Sequence, residues 1–322
     1  MLDFVSKRFW YFILSLLIII PGTVSLIFFG LQRGIEFTSG SAMTVKFANQ
    51  VEENALRLEL TSFGHGDAII QRMGENEFFI RTRELMGEQK NEVGAVTAPS
   101  EREQLEKDLR DKLGDFTVSD FYSVSPIVAE DIERNATWAI FAAVPAILLY
   151  ITWAFRKVAK PFRFGTCSII ALLHDILVVL GIFSLLGKFA NVEIDAMFIA
   201  GVLTVVGYSV HDTIVVFDRI RENLIKSKFK DFSNVVNHSI MQTLSRSLNT
   251  SLTTLLVIVA LFLFGGVTIR YFILVLLIGV LTGTYSSIFN ASQLLVVWEN
   301  KEWGRFVSWI PGLGSLTRAK AK

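Results

Sequence analysis

Six stretches of this chain are almost continuously apolar: Phe9–Phe29, Trp138–Phe155, Phe164–Leu186, Ile194–Phe217, Leu248–Phe264 and Phe272–Val297. About 17–25 apolar residues wound as a helix cross roughly 30 Å of hydrocarbon, so each stretch predicts a membrane span. Ser6, Lys7 and Arg8 precede the first run, and no small-x-small cleavage pattern follows Phe29. The run is longer than the core of a signal peptide, so an uncleaved anchor is expected.

Residues 31–134, between the first two spans, carry the periodicities of a folded polar domain. Ser41–Phe47 alternates as a strand does. Glu52–Phe63 reads as a helix, with Ala55, Leu58 and Leu60 near one face and Gly64 as its stop. Ala68–Arg72 and Glu77–Thr82 flank a Gly74-Glu75-Asn76 turn and predict a hairpin. Ser100–Leu113 is a charged helix with a Ser100-x-x-Glu103 capping box and a Gly114 stop, and Phe116–Val124 supplies a last strand. The order βαββαβ predicts a ferredoxin-like α+β domain, with helices over one face of an antiparallel sheet. Met86–Pro99 is expected to be a surface loop, and His65, in a Gly-His-Gly turn, a polar loop residue. Farther on, Phe232, Val235, Val236, Ile240 and Leu244 recur at helical spacing within Asp231–Ser245 and predict a helix lying at the membrane interface. The expected organisation is an N-terminus and first span (1–30), an extracytoplasmic domain (31–134), five further spans (135–300) and a tail (301–322) that is irregular or interfacial around Pro311, Gly312 and Gly314.

Composition supports a polytopic membrane protein: 52% of the 322 residues are hydrophobic, with a mean hydropathy of +0.48. A net charge of +1 with no continuous basic face excludes nucleic acid as the main partner. The cations mark orientation. Arg156, Lys157, Lys160 and Arg163, then Arg219, Arg221, Lys226, Lys228 and Lys230, then Lys301, Arg305, Arg318, Lys320 and Lys322 fall on one side of a six-span arrangement. The opposite connections carry only Lys188 and Arg270, so both termini are expected in the cytoplasm. Trp10, Tyr11, Trp138, Tyr150, Trp153 and Trp298 fall at span ends, where amphipathic rings prefer to lie. A lone Cys167 makes no intrachain disulfide.

Three intramembrane polar features carry the candidate chemistry: His174-Asp175 in span three, His211-Asp212 in span four, and Arg246 with Asn249 and Thr250 at the start of span five. An Asp at a span centre costs about 2.5–3.5 kcal/mol on insertion scales. By helical rise Asp212 lies about 8 Å, and Asp175 about 16 Å, inside. Arg246 enters from the same side as Asp212, so an Asp212–Arg246 pair is expected to relieve the burial of both. Such a pair either locks helices together or carries protons, and two carboxylates with two histidines favour a proton relay. Gly279-x-x-x-Gly283, with Gly201 and Gly207 in span four, predicts close helix packing. Pro21 and Pro145 are expected to bend their helices. There is no nucleophile elbow, phosphate-cradling loop or metal-ligand spacing, so neither an enzyme nor a cofactor is expected.

Val206-Gly-Tyr-Ser-Val-His-Asp-Thr-Ile-Val-Val-Phe-Asp-Arg-Ile-Arg-Glu-Asn223 resembles the fourth-span signature of the SecF family, the smaller subunits of the bacterial SecD/SecF protein-export auxiliary. Gly34-Ile-Glu-Phe-Thr-Ser-Gly40 is similar to the family's GIDFxGG element, Leu173-His-Asp175 to its third-span motif, and Gln242–Ser251 to its Arg-containing start of span five. Phe264-Gly-Gly266 also fits. The motif positions singled out are Gly34, Glu36, Phe37, Gly40, Gly207, Tyr208, Asp218 and Arg219. The resemblance implies the six-span half of an RND-superfamily transporter in the bacterial inner membrane. It implies a SecD-like partner, the protein-conducting Sec channel and preprotein as associates, and protons as the coupling ion, with Asp212 and Arg246 on their path. Glu36 stands where Asp is usual, Ser39 where Gly is usual, and His211 where Asn is expected. An RND half-transporter for lipids or small molecules and a non-energised scaffold are the alternatives. About a hundred residues between the first two spans are too few for the porter domain of a drug pump.

Overall fold

The structure is a computed structural model that describes residues 3–87, 89–90, 96–98, 100–226, 231–266 and 269–303. It divides into two compact units, one being Arg33–Thr137 and the other made from the chain on either side of it. Among the described residues, six helices are long and apolar enough to cross a membrane. They are α1 (Arg8–Phe29), α5 (Pro126–Ala154), α6 (Pro161–Ala190), α7 (Ala196–Lys226), α8 (Phe232–Phe264) and a last span built from α9 (Arg270–Ser286), one π-turn (Ser287–Ala291) and α10 (Ser292–Glu299).

In the helical unit α6, α7 and the last span bury about half of their apolar length, whereas α5 buries very little of its own. Lipid tails are as apolar as leucine, so helices in a membrane associate through close backbone approach and buried polar contacts. Both occur here. A Cβ on Gly22 of α1 would stand 2.9 Å from the Gly181 Cα of α6, and the Ser25 and Ser184 hydroxyls meet at 2.8 Å beside that crossing. On α9, Gly279 packs on Val205 of α7, Gly283 lies over Ser209, and Gly201 of α7 meets Val275. Gly207 faces open space, so the expectation that it marks a close approach is corrected.

The segment expected as a separate interfacial helix is instead the first half of α8, which runs unbroken from Phe232 to Phe264. Its stripe of Val235, Val236 and Ile240 is buried. Val236 and Ile240 join a core with Phe217 and Ile220 of α7, so that stripe packs on protein. Phe155, Phe164 and Phe217 form an aromatic knot in the same core. The tail around Pro311, Gly312 and Gly314 lies outside the described residues.

The Arg33–Thr137 unit begins with a single turn, α2 (Ile35–Thr38), and follows with β1 (Gly40–Phe47), α3 (Glu53–Ser62), β2 (Ile69–Arg72), β3 (Glu77–Thr82), β4 (Gln89–Lys90), β5 (Val96–Ala98), α4 (Glu101–Leu113) and β6 (Phe116–Val124). Its four-stranded sheet has the order β2-β3-β1-β6 with every pair antiparallel. Met43, Val45, Phe78 and Ile80 from the central strands pack with Leu56 and Leu60 of α3 and Leu105 and Leu109 of α4. The Ser100 hydroxyl accepts the Glu103 N–H and caps α4.

Three expectations are corrected in this unit. Leu58 is 72% exposed: successive helical residues turn by about 100°, which sets it opposite Leu56 and Leu60. Met86–Pro99 is not wholly loop, because β4 and β5 pair within it; residues 88, 91–95 and 99 lie outside the described set. His65 is buried, with its Nε2 3.6 Å from Glu101 of α4. Burial holds the imidazole below its ordinary pKa against the raising pull of Glu101. Glu101 is held low, first by the Met86 N–H that it accepts and then by Arg83.

Candidate polar relay in the helical unit

Asp175, on the buried face of α6, is wholly inaccessible. Its Oδ2 accepts the Ser209 hydroxyl of α7 at 2.6 Å and the Ser286 hydroxyl of α9 at 2.7 Å, while Oδ1 meets His174 Nδ1 at 2.9 Å. One carboxyl therefore ties three helices together, which satisfies acceptors that would otherwise be costly to bury. The approach of α9 to α7 at Gly279 and Gly283 places these hydroxyls: a Cβ on Gly283 would lie 3.3 Å from the Ser209 Cα and 3.6 Å from Asp175 Oδ2. His174 stacks on Tyr285 with ring centroids 6.3 Å apart, and Tyr285 donates to the Tyr11 carbonyl of α1.

Three further sets of polar contacts surround this junction. Thr213 and Ser287 share a hydrogen bond at 2.8 Å, and Thr213 also donates to the Ser209 carbonyl. On the α8 side, Tyr208 and Thr284 both donate to Ser251. Ser15 of α1 and Asn290 of the π-turn exchange hydrogen bonds.

Asp212 is 6% exposed on α7, one helical turn beyond Ser209. The Ser247 hydroxyl of α8 is its neighbour, yet by strict hydrogen-bond geometry neither Asp212 Oδ2 nor Ser247 Oγ is paired. Among the described residues no ion pair joins Asp212 to Arg246, contrary to the expected pairing. The reason is angular. Ser247, Thr243 and Ser251 form the buried face of α8, and Arg246 falls on the exposed side together with Asn249 and Thr250. His211 is exposed as well. The structure thus brings His174 and Asp175 together, buries Asp212 apart from them, and leaves His211 and Arg246 on the outer surface of the unit.

The other motif positions lie at the start of α2 or within it, in β1 and in the second half of α7. Gly34 opens α2, where its carbonyl accepts from Phe37 and Thr38, and Phe37 is buried. Glu36 lies in the first turn of α2. Gly40 starts β1 at φ +133°, where a Cβ would stand 2.5 Å from the Thr82 carbonyl oxygen, so only glycine fits. Asp218 pairs with Arg221 at 2.5 Å, and Arg219 reaches Gln242 of α8 at 2.6 Å. Ser209 escaped sequence reasoning. Its only signal was a position four residues after Val205, on the stripe that receives α9.

The SecD/SecF GG motif model matches residues 24–51, spanning the α1 end, α2 and β1. The model for the C-terminal part of the protein export membrane protein SecD/SecF matches residues 104–301, which hold the buried polar residues of α6 to α9 described above. Similar full-length relatives include the protein translocase subunit SecF of Thermobaculum terrenum, 47% identical over 95% of this chain and 96% of that protein. The SecF of Anaerolinea thermophila is 40% identical over 94% and 96%. The chain belongs to the SecF family. It is therefore a multi-pass membrane protein of the Sec protein-translocation machinery. This SecF-family chain also superposes on the crystal structure of SecDF from Thermus thermophilus with a TM-score of 0.78 at 35% identity, covering 93% of this chain and 39% of that one. A SecDF crystal structure in a super-membrane-facing form gives 0.64 at 33% identity, over 95% and 40%. The chain spans about two fifths of these SecDF chains.

Proposed function

We propose that this chain is the SecF half of a proton-coupled export unit that works with a SecD-like partner beside the protein-conducting channel and acts on preprotein outside the membrane. It has no enzymatic activity or cofactor in this reading, and protons are the coupling ion. The Arg33–Thr137 unit is a ferredoxin-like domain, its βαββαβ order and antiparallel sheet supporting that class, and it lies on the extracytoplasmic side with both termini in the cytoplasm. The orientation rests on the basic loops.

One observation supports the proton reading: Asp212 is buried within a span with Oδ2 making no hydrogen bond, and among the described residues no ion pair holds it. A carboxyl that takes up a proton changes from acceptor to donor. In a water-poor bundle that change alters which neighbouring hydroxyls it can engage, and so which packing of α7 against α8 is favoured. A charge crossing 100 mV provides about 2.3 kcal/mol, enough to move a balanced equilibrium roughly fifty-fold. Arg246, on the outer face of α8, reaches Asp212 only after rearrangement or against a partner half.

The test is protein export into inverted vesicles carrying this chain and its partner, with and without an uncoupler. Asp212→Asn, nearly isosteric and unable to ionise, and Arg246→Met are expected to abolish the uncoupler-sensitive stimulation. A scaffold would keep it, and full retention in both variants overturns the proton reading.

A further inference from the structure

We infer that the cavity between the end of α5 and the end of α7 binds the phosphate headgroup of an anionic membrane phospholipid. The cavity holds about 380 Å³ and is lined by Ala154, Arg156, Lys157, Arg221 and Ile225. Three of the five lining residues are cationic. Arg221 is paired with Asp218 at 2.5 Å and lies over the Phe155 ring. Arg156 donates to the Trp153 carbonyl and covers the Trp153 ring. Among the described residues, neither Arg156 nor Lys157 has a carboxylate partner. The next two cations along the chain differ: Lys160, which precedes α6, and Arg163, in its first turn, both close on Glu299. Glu299 of α10 thus neutralises two of these four cations, and the other two line the cavity.

The surroundings identify the anion as a lipid. Tyr150 and Trp153, at 56% and 62% exposure, lie at i−6 and i−3 from Arg156 on the outward face of α5, followed deeper by exposed Leu149. Aromatic rings of this kind settle at headgroup depth. Ile225 is 70% exposed at the rim. A free inorganic anion would use the cations alone, whereas a phospholipid has a phosphate for the cavity and acyl chains for the adjoining apolar face. Basic pockets at the ends of membrane helices hold anionic headgroups in this way.

The experiment uses the full chain purified in mild detergent, titrated with phosphatidylglycerol, phosphatidylcholine or inorganic phosphate. Bound lipid is counted by native mass spectrometry, and the thermal midpoint is followed in parallel. Phosphatidylglycerol is expected to bind and raise the midpoint, and Arg156→Gln/Lys157→Gln to weaken that binding about 30-fold, given about 1 kcal/mol per cation near a membrane surface. Arg156→Lys/Lys157→Arg keeps the charge and is expected to keep binding, which separates loss of the site from loss of the fold. Equal binding of phosphatidylglycerol by wild type and the Gln variant overturns the inference. So does equal stabilisation by inorganic phosphate, which would make the cavity a free-anion site, or equal binding of phosphatidylcholine, which would make the contact nonspecific.

Discussion

Replacing Gly279 by alanine tests whether the close contact of α9 with α7 is what builds the Asp175 junction. The added Cβ would lie 2.1 Å from Val205 Cγ2, 2.6 Å from Cγ1 and 2.9 Å from Cβ. Carbon atoms rest about 3.5–4.0 Å apart, so the shortfall is about 1.5 Å. Valine in a helix has one strongly preferred rotamer and cannot swing aside. The helices must therefore part by about that distance. The Ser209 and Ser286 bonds to Asp175, at 2.6 and 2.7 Å, cannot both survive such a shift, since hydrogen bonds are lost beyond roughly 3.2–3.5 Å. Overpacking costs about 1–3 kcal/mol and one broken buried bond about 1 more, offset by up to about 1 kcal/mol of alanine's helix propensity. The expected net loss is about 1–3 kcal/mol, read as a fall of several degrees in the thermal midpoint in detergent. Gly207→Ala is the control. With nothing within 4 Å of its Cβ, it should stay near wild type. Adding Val205→Ala should restore most of the loss. Equal midpoints for Gly279→Ala and Gly207→Ala would refute the argument that this contact positions the junction.

Three further outcomes are expected. Ser39 sits at φ 59°, ψ 167°, a region that glycine alone occupies without strain; relief of about 1–3 kcal/mol, less about 0.5–1 for glycine's greater freedom, leads Ser39→Gly to stabilise the Arg33–Thr137 unit by about 1 kcal/mol in denaturant unfolding. His65 is held below its ordinary 6.5, so the unfolded chain binds a proton first: its contribution is complete above 6.5 and is lost as pH falls toward the folded value, and a pH series with His65→Gln should flatten that loss. Single cysteines at exposed Asp67 and at Lys226, with Cys167 left in its buried position, should react with an impermeant thiol reagent on intact cells at position 67 alone; labelling at 226 alone would invert the orientation.

The spans and strands were legible because each rests on a local signal, an unbroken apolar run for a span and alternation for a strand. Phe116–Val124 and Glu77–Thr82 emerged with the bounds that alternation implied. Contacts between elements were less legible. Arg246 was expected to face Asp212 because both lie at similar depth, but depth leaves the angle about the helix axis undetermined, and burial of Ser247 turned Arg246 outward. His65 looked like a loop residue, since a Gly-His-Gly turn does not reveal that α4 closes over it. The interfacial reading of residues 231–245 failed because an apolar stripe is the same whether lipid or α7 covers it. Ser209 and Ser286 went unmatched to Asp175, because a hydroxyl on a small-residue stripe reads as packing until its partner helix is known.

The π-turn at Ser287–Ala291 shifts the phase of the last span. Such a turn houses one residue more than α-helical winding needs. The Gly279, Gly283 and Ser286 stripe that meets α7 and Asp175, and the Leu295–Val297 patch buried near the other end, are consequently indexed on different angular frames. Removing a single residue inside the turn would leave the span nearly as long and as apolar, while rotating everything beyond it by about 100°. The patch would then point away from its core. Span length and hydropathy would hardly register such a deletion, although it would dismantle one half of the helix interface.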